Sequence, residues 1–429
     1  MRGRLQQGRI LIRIPSASRT IMALTEYLWV IFVILNGNSI YHANSIRNLY
    51  LVEIVLLLTF LLAAMNILFY RSWPTKKSVI GAVAILCYCS VYFSVMQNHM
   101  AAKTYMHLFM LGAPAAFVMF SESYRHGRLM RLLGRITDVM CILALISLYF
   151  WFMGEVFKLI KPNGYVNIAW GGFNEVKGYY GIHFAFQLDT TFFPDAFLFR
   201  NSSIFSEAPM FNLWLDLAIA IELFIRPKAS KLRVILLAVT VFTTLSVTGI
   251  LFLVLCVVLK ALVHLHNLNR FQTCVLILMA IVVIPVLFVL VTRSVSMKVN
   301  TTSYEMRLSD YAGGVRLWMD HPLFGAGYGN LVALLPYIYS PDGVLGFSNS
   351  VTAVLGTGGT WMALLFYIPL IAVLFPRFSG SRKISAFGGC YLFLFCTTAF
   401  FGRFLAAMMV SLGYALIIGR HQQKEENKK

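Results

Sequence analysis

The sequence predicts an all-α, polytopic membrane protein, and three observations carry that prediction. Hydrophobic residues make up 59% of the 429 residues and charged residues only 12%, about half the charged share of a soluble domain. Apolar runs long enough to cross a hydrocarbon core of about 30 Å at 1.5 Å rise per residue recur along the chain. Lys and Arg gather in short clusters between those runs, as membrane topology requires.

The apolar runs predict about twelve transmembrane helices at 22–40, 49–69, 79–95, 104–120, 137–157, 208–225, 233–248, 249–265, 271–291, 350–375, 384–401 and 404–419. Ser246 to Gly249 is the only turn signal between the seventh and eighth, and Gly402 with Arg403 parts the last two. The first run follows a basic segment (Arg2, Arg4, Arg9, Arg13, Arg19). It is too long for a signal-peptide core and is read as an uncleaved span.

With the N-terminus inside, the cytoplasmic segments hold 25 of the 36 Lys and Arg and the opposite segments 11. Both termini are therefore expected in the cytoplasm, with the whole chain, 1–429, one integral membrane domain. The net charge of +19 reads as topology and lipid-headgroup contact, so membrane lipids are expected partners and nucleic acid is not. Ser121 to Ile136, with Arg125, Arg128, Arg131 and Arg135, reads as a basic amphipathic helix on the inner leaflet. The seven cysteines all fall in apolar stretches, which predicts neither a disulfide framework nor a metal site.

Two connections are far longer than the rest, 158–207 and 292–349, and both face outside by the charge count. Long loops rich in aromatics, Gly and Pro are expected to be folded and working. The first ends in Phe199-Arg200-Asn201-Ser202-Ser203-Ile204-Phe205-Ser206-Glu207-Ala208-Pro209. Ser206 reads as the cap of the sixth span, with Pro209 in its first turn. Arg200 would then stand just outside the membrane, where a guanidinium fork takes two phosphate oxygens at once. Glu207 either pairs with it or acts as a base.

In the second loop, Arg307 and Asp310 are three apart and Arg316 and Asp320 four apart, so a helix puts each pair on one face. The bland reading of both is a surface ion pair worth under about 1 kcal/mol. His321 is a candidate general base but has no metal-ligand spacing around it. Gly325, Gly327 and Gly329 have no preceding strand, which excludes a dinucleotide fingerprint and leaves tight turns. Glu26, Glu53, Asp138, Asp216 and Glu222 fall within or beside apolar runs, too scattered to argue proton coupling.

Four pieces together resemble the O-antigen polymerase and O-antigen ligase superfamily. They are Arg200 with the following Ser-Ile-Phe-Ser-Glu-Ala-Pro, the Arg307 segment, His321 to Asn330, and Ser348-Asn349 at the entrance of a Gly-rich tenth span (Gly356, Gly358, Gly359). The resemblance covers roughly 195–375. It implies a GT-C-like helical membrane fold that needs no cofactor or metal, acting on a glycan linked to undecaprenyl diphosphate. It implies Arg200, Arg307 and Arg316 as the diphosphate-binding residues, Glu207, His321 and Asp310 (with Asp320) as candidate bases, and a chain-length regulator protein as a partner. Ligases of the family usually carry His before the Asn of the tenth-span entrance. Ser348 stands there in this chain, which favours a repeat-unit polymerase for O-antigen, capsule or exopolysaccharide over a ligase. A twelve-span secondary transporter is the rival from another class, and it would be expected to show two related halves.

Overall fold

A computed structural model describes residues 16–43, 50–96, 98–168, 174–189, 192, 197–264, 302–338 and 346–426. The ninth predicted span, 271–291, and Cys274 lie outside the described residues. The chain is mostly helical. Among the described residues, seven helices are long and apolar enough to cross a membrane: α1 (Ser16–Asn36), α2 (Leu51–Tyr70), α3 (Lys76–Val95), α4 (Ala102–Arg125), α5 (Leu129–Val156), α6 (Ala208–Ile225) and, further on, α10 (Ser350–Leu374). Between the last two come α7 (Lys231–Thr243), α8 (Val247–His264) and the loop helix α9 (Thr302–Asp320). After α10 follow α11 (Arg382–Thr397) and α12 (Phe404–Glu426). Each of these twelve helices other than α9 overlaps an apolar run of the sequence.

The core is one continuous cluster in which α6 is the most enclosed element, with Phe211, Trp214, Leu215 and Ala218 fully buried. That burial explains why α6 is apolar on every side rather than on one stripe.

Both long loops gather at one end of the bundle. There Phe404 N donates to Asn36 Oδ1, Ser350 Oγ to Thr398 O and Ser206 N to Asn38 O. The other end carries the basic turns and a buried ionic network. Glu26 of α1 holds Arg128, just before α5, and Arg135 of α5. Asp138 holds Arg226 and Arg233, and Arg226 Nε lies 3.0 Å from Glu222. The intramembrane carboxylates Glu26, Asp138 and Glu222 are therefore paired at a helix end. Asp216 lies deep in α6, where it accepts from Asn212 Nδ2 at 2.7 Å.

Three expectations are corrected. The chain is not purely helical: Gly164–Ile168 (β1), Asn174–Tyr179 (β2) and His183–Ala185 (β3) form an antiparallel sheet in the order β1-β2-β3. Ile168, Val176 and Phe184 bury its inner face against Ile40, a period-2 pattern too short to stand out in the sequence. The segment Ser121 to Ile136 is not a surface helix. It turns at Gly127, with φ of 69°, and Leu129, Leu132 and Leu133 are buried, so its apolar face meets the bundle rather than lipid. The cap of α6 is Glu207, whose side chain makes no capping bond; Ser206 Oγ donates to Asn38 O instead. Pro209 does fall in the first turn.

α10 is broken. Gly359 has φ of 63° and ψ of −171° inside it, and the loop after α9 plugs the break. Ala326 N donates to Gly356 O and Gly327 N to Thr357 O, while Thr360 N donates to Pro322 O and Trp361 N to Leu323 O. A non-helical backbone at membrane depth must find partners inside the protein, and this loop supplies them. The glycines of His321 to Asn330 are explained the same way: Gly325, Gly327 and Gly329 all have positive φ, and a Cβ on Gly359 would collide with the Gly325 amide.

Candidate functional site

A cavity of ≈ 490 Å³ opens at the loop-bearing end. Its walls come from Asn38 after α1, the start of α4, the start of α6, the α7–α8 turn, α9 with the entrance of α10, the loop after α9 from Tyr328 to Ile338, and the turn between α11 and α12. Glu207, Arg307, Asp310, Ser348 and Arg403 all line it.

Arg307 and Asp310 reach it because α9 turns one face inward. Positions 307, 310, 314 and 317 follow helical spacing, and Gly314 and Leu317 are buried. Gly314 packs against Thr352 and its carbonyl against Gly356, so the absence of side chains lets α9 lie close on α10. Asn349 fixes the α10 entrance as an N-cap, its Oδ1 accepting from Thr352 N at 2.8 Å and Thr352 Oγ1 at 3.0 Å. That geometry presents the preceding Ser348 to Asp310.

The two carboxylates are both pushed above their ordinary range. Burial raises Glu207 to about 7, although the charges of Arg200 and Arg307 pull it down. Burial raises Asp310 to about 6, opposed by the Ser348 hydroxyl and amide and by Arg307. Desolvation therefore outweighs the attraction of the arginines at both groups.

Arg200 stands behind the cavity wall, within electrostatic reach of Glu207, Asp189 and Arg307, and burial lowers its pKa. Its Nε donates to Thr244 O at 2.9 Å and its own amide to Gln187 O at 2.8 Å. It is thus fixed between the sheet-bearing loop and the α7–α8 turn.

Not every residue singled out from the sequence arrives at this place. Glu207, Arg307, Asp310 and Ser348 do, with Arg200 adjoining. Arg316 is exposed on another face of α9. Asp320 is exposed and accepts from the Tyr337 hydroxyl. His321 ends α9, its amide bonded to Leu317 O and Trp318 O. These three do not line the cavity. Four apart on a helix is enough to pair Arg316 with Asp320 but says nothing of which face the bundle covers.

Arg403 was missed. Its signal in the sequence is slight: it is the single basic residue in the short turn between the last two apolar runs, on the side that topology leaves poor in Lys and Arg.

Among known families, the one described as O-antigen ligase matches residues 232–368. The chain thus carries an O-antigen ligase domain, consistent with the O-antigen polymerase and ligase superfamily. The match spans α7, α8, α9 and most of α10, and so includes Arg307, Asp310, Ser348 and the plugged break; Arg200, Glu207 and Arg403 lie outside it. No curated protein sequence matches the chain. Seven membrane-compatible helices among the described residues, together with this match, support an integral membrane protein of glycan processing.

Proposed function

We propose that the chain is a repeat-unit polymerase of twelve spans, working on lipid-linked glycans at the outer face of a bacterial cytoplasmic membrane. The observation that carries this reading is the pairing, in one cavity, of Arg307 with two carboxylates of raised pKa, with Arg200 adjoining. The loop-bearing end is the outer one on this reading, because the basic turns and the ionic network occupy the other.

In the reaction, an acceptor hydroxyl on one lipid-linked unit attacks the anomeric carbon of the growing chain. The new oxygen–carbon bond forms as the bond from that carbon to the diphosphate oxygen breaks. The electron pair leaves with the undecaprenyl diphosphate, and the hydroxyl proton passes to Asp310 or Glu207. Arg307, supported by Arg200, meets the charge that grows on the diphosphate and so stabilises the transition state more than the ground state. The residues need no metal to do this.

Ser348 supports polymerase over ligase, since a serine offers no imidazole at the tenth-span entrance and leaves the base to the carboxylates. The similarity of residues 232–368 to the O-antigen ligase family favours the second reading, a ligase that moves a finished glycan to another acceptor. Purified chain in lipid nanodiscs, given undecaprenyl-diphosphate repeat units from its source, separates them. A ladder of repeat lengths is expected. A single transfer to a different acceptor, without a ladder, overturns the polymerase reading in favour of the ligase.

A further inference from the structure

Arg403 is the cavity's least explained charge. It projects from the turn between α11 and α12 and lines the cavity. Burial lowers its pKa to about 10, so it stays cationic at neutral pH. Among the described residues its Nη1 meets His42 Nε2 at 3.1 Å, and no carboxylate forms an ion pair with it. His42 is held down to about 4 by burial and by the charge of Arg403. It is neutral, so its Nε2 accepts from the guanidinium and its proton sits on Nδ1. That contact orients Arg403 without neutralising it. A desolvated cation with no ion-pair partner among the described residues is costly, and Arg403 lines the cavity.

A second group points the same way. Tyr328 lines the cavity and is 3% exposed, and its hydroxyl has no hydrogen-bond partner. Its ring is packed edge-on by Tyr105, Phe109 and Phe401, so packing rather than bonding sets where the hydroxyl lies. Arg403 is close enough to Tyr328 to act on it electrostatically. A buried donor kept without a partner beside an unneutralised guanidinium is the chemistry of an anion site awaiting its anion.

Resting on the reading that this cavity receives a diphosphate-linked glycan, we infer that Arg403 and Tyr328 form a second phosphate-holding wall. They grip the diphosphate from the α11–α12 turn while Arg307 grips it from α9. His42 is a positioning residue for Arg403. The shared chemistry is a phosphate ester, and the site takes the polyprenyl diphosphate rather than a phospholipid headgroup.

The test uses the full chain in detergent and radiolabelled farnesyl diphosphate as the probe. Tyr328→Phe removes a hydroxyl that bonds nothing in the protein, so folding is unaffected and binding weakens about 3- to 10-fold. Arg403→Lys keeps the charge but loses the fork, and weakens binding about 10- to 100-fold. Unchanged affinity in both variants, with Arg307→Ala still impaired, overturns this inference and leaves the proposed function standing. Failure of the wild-type chain to bind the probe overturns both. Displacement of the probe by phosphatidylglycerol at equal concentration makes the site a headgroup site and overturns the diphosphate assignment.

Discussion

The pH dependence of glycan transfer distinguishes the two carboxylates, because burial sets them at different values. A general base works only when ionised. Asp310, at about 6, is ionised to about 9% at pH 5 and almost fully at pH 8. If it takes the proton, the rate rises about 10-fold over that interval and reaches half its plateau near pH 6. Glu207, at about 7, is ionised to about 1% at pH 5 and about 90% at pH 8. If it is the base, the rise is about 90-fold with its midpoint near pH 7. Asp310→Asn and Glu207→Gln then assign the role: the variant lacking the base loses about 10²- to 10⁴-fold in rate and loses its inflection. Arg307 lowers both groups, so Arg307→Ala moves the midpoint to higher pH whichever carboxylate acts. Single-turnover transfer in nanodiscs, sampled from pH 5 to 8, gives the curve. A flat wild-type profile, or near-wild-type rates in both carboxylate variants, refutes the assignment of either as base.

Arg307→Ala removes charge-assisted bonds that form best at the transition state, and about 10- to 150-fold of the rate goes with them, read as shortening and loss of the repeat-length ladder. Arg316→Ala leaves the ladder within about twofold of wild type, since Arg316 is exposed away from the cavity; a deep loss there places the anion site on the wrong face of α9. Asn349→Ala costs about 1 kcal/mol of stability through the lost cap and appears as a lowered thermal midpoint in detergent. Gly359→Ala combines a positive φ with a backbone collision at Gly325, and folded yield on size exclusion falls sharply.

Helices were legible in the sequence because a membrane span needs only length and apolarity, both of which are local. The turn between α7 and α8 was found from Ser246 to Gly249, close to where the helices part at Thr243 and Val247. The sheet was not found, since its inner face is closed by Ile40, more than 120 positions earlier. Arg307 and Asp310 were legible as a pair by their spacing. That they face inward while Arg316 faces out depends on Gly314 and Leu317 seating α9 on α10, a packing fact with no local marker. The glycines around 325 were legible as turns, but their partner is the break at Gly359, which only the folded chain brings to them. Arg403 was passed over because one arginine in a short turn looks like a topological residue until the cavity wall is known.

The charges of the cavity also account for why carboxylates of raised pKa belong beside arginines. Arg200 and Arg307 hold Glu207, and Ser348 and Arg307 hold Asp310, below where burial alone would put them. An anion bound on Arg307 offsets that pull, so each carboxylate becomes more basic when a diphosphate arrives. In the proposed reaction the base is therefore strongest when substrate is present. There, as the acceptor's proton neutralises the carboxylate, the leaving diphosphate gains the negative charge the carboxylate gave up. The negative charge moves from one arginine-facing group to another, and the net charge inside a poorly solvated cavity does not change during the step. A site that had to create or discharge a net charge there would meet the full desolvation cost at its transition state; this arrangement avoids it with residues that two loops and one helix face bring together.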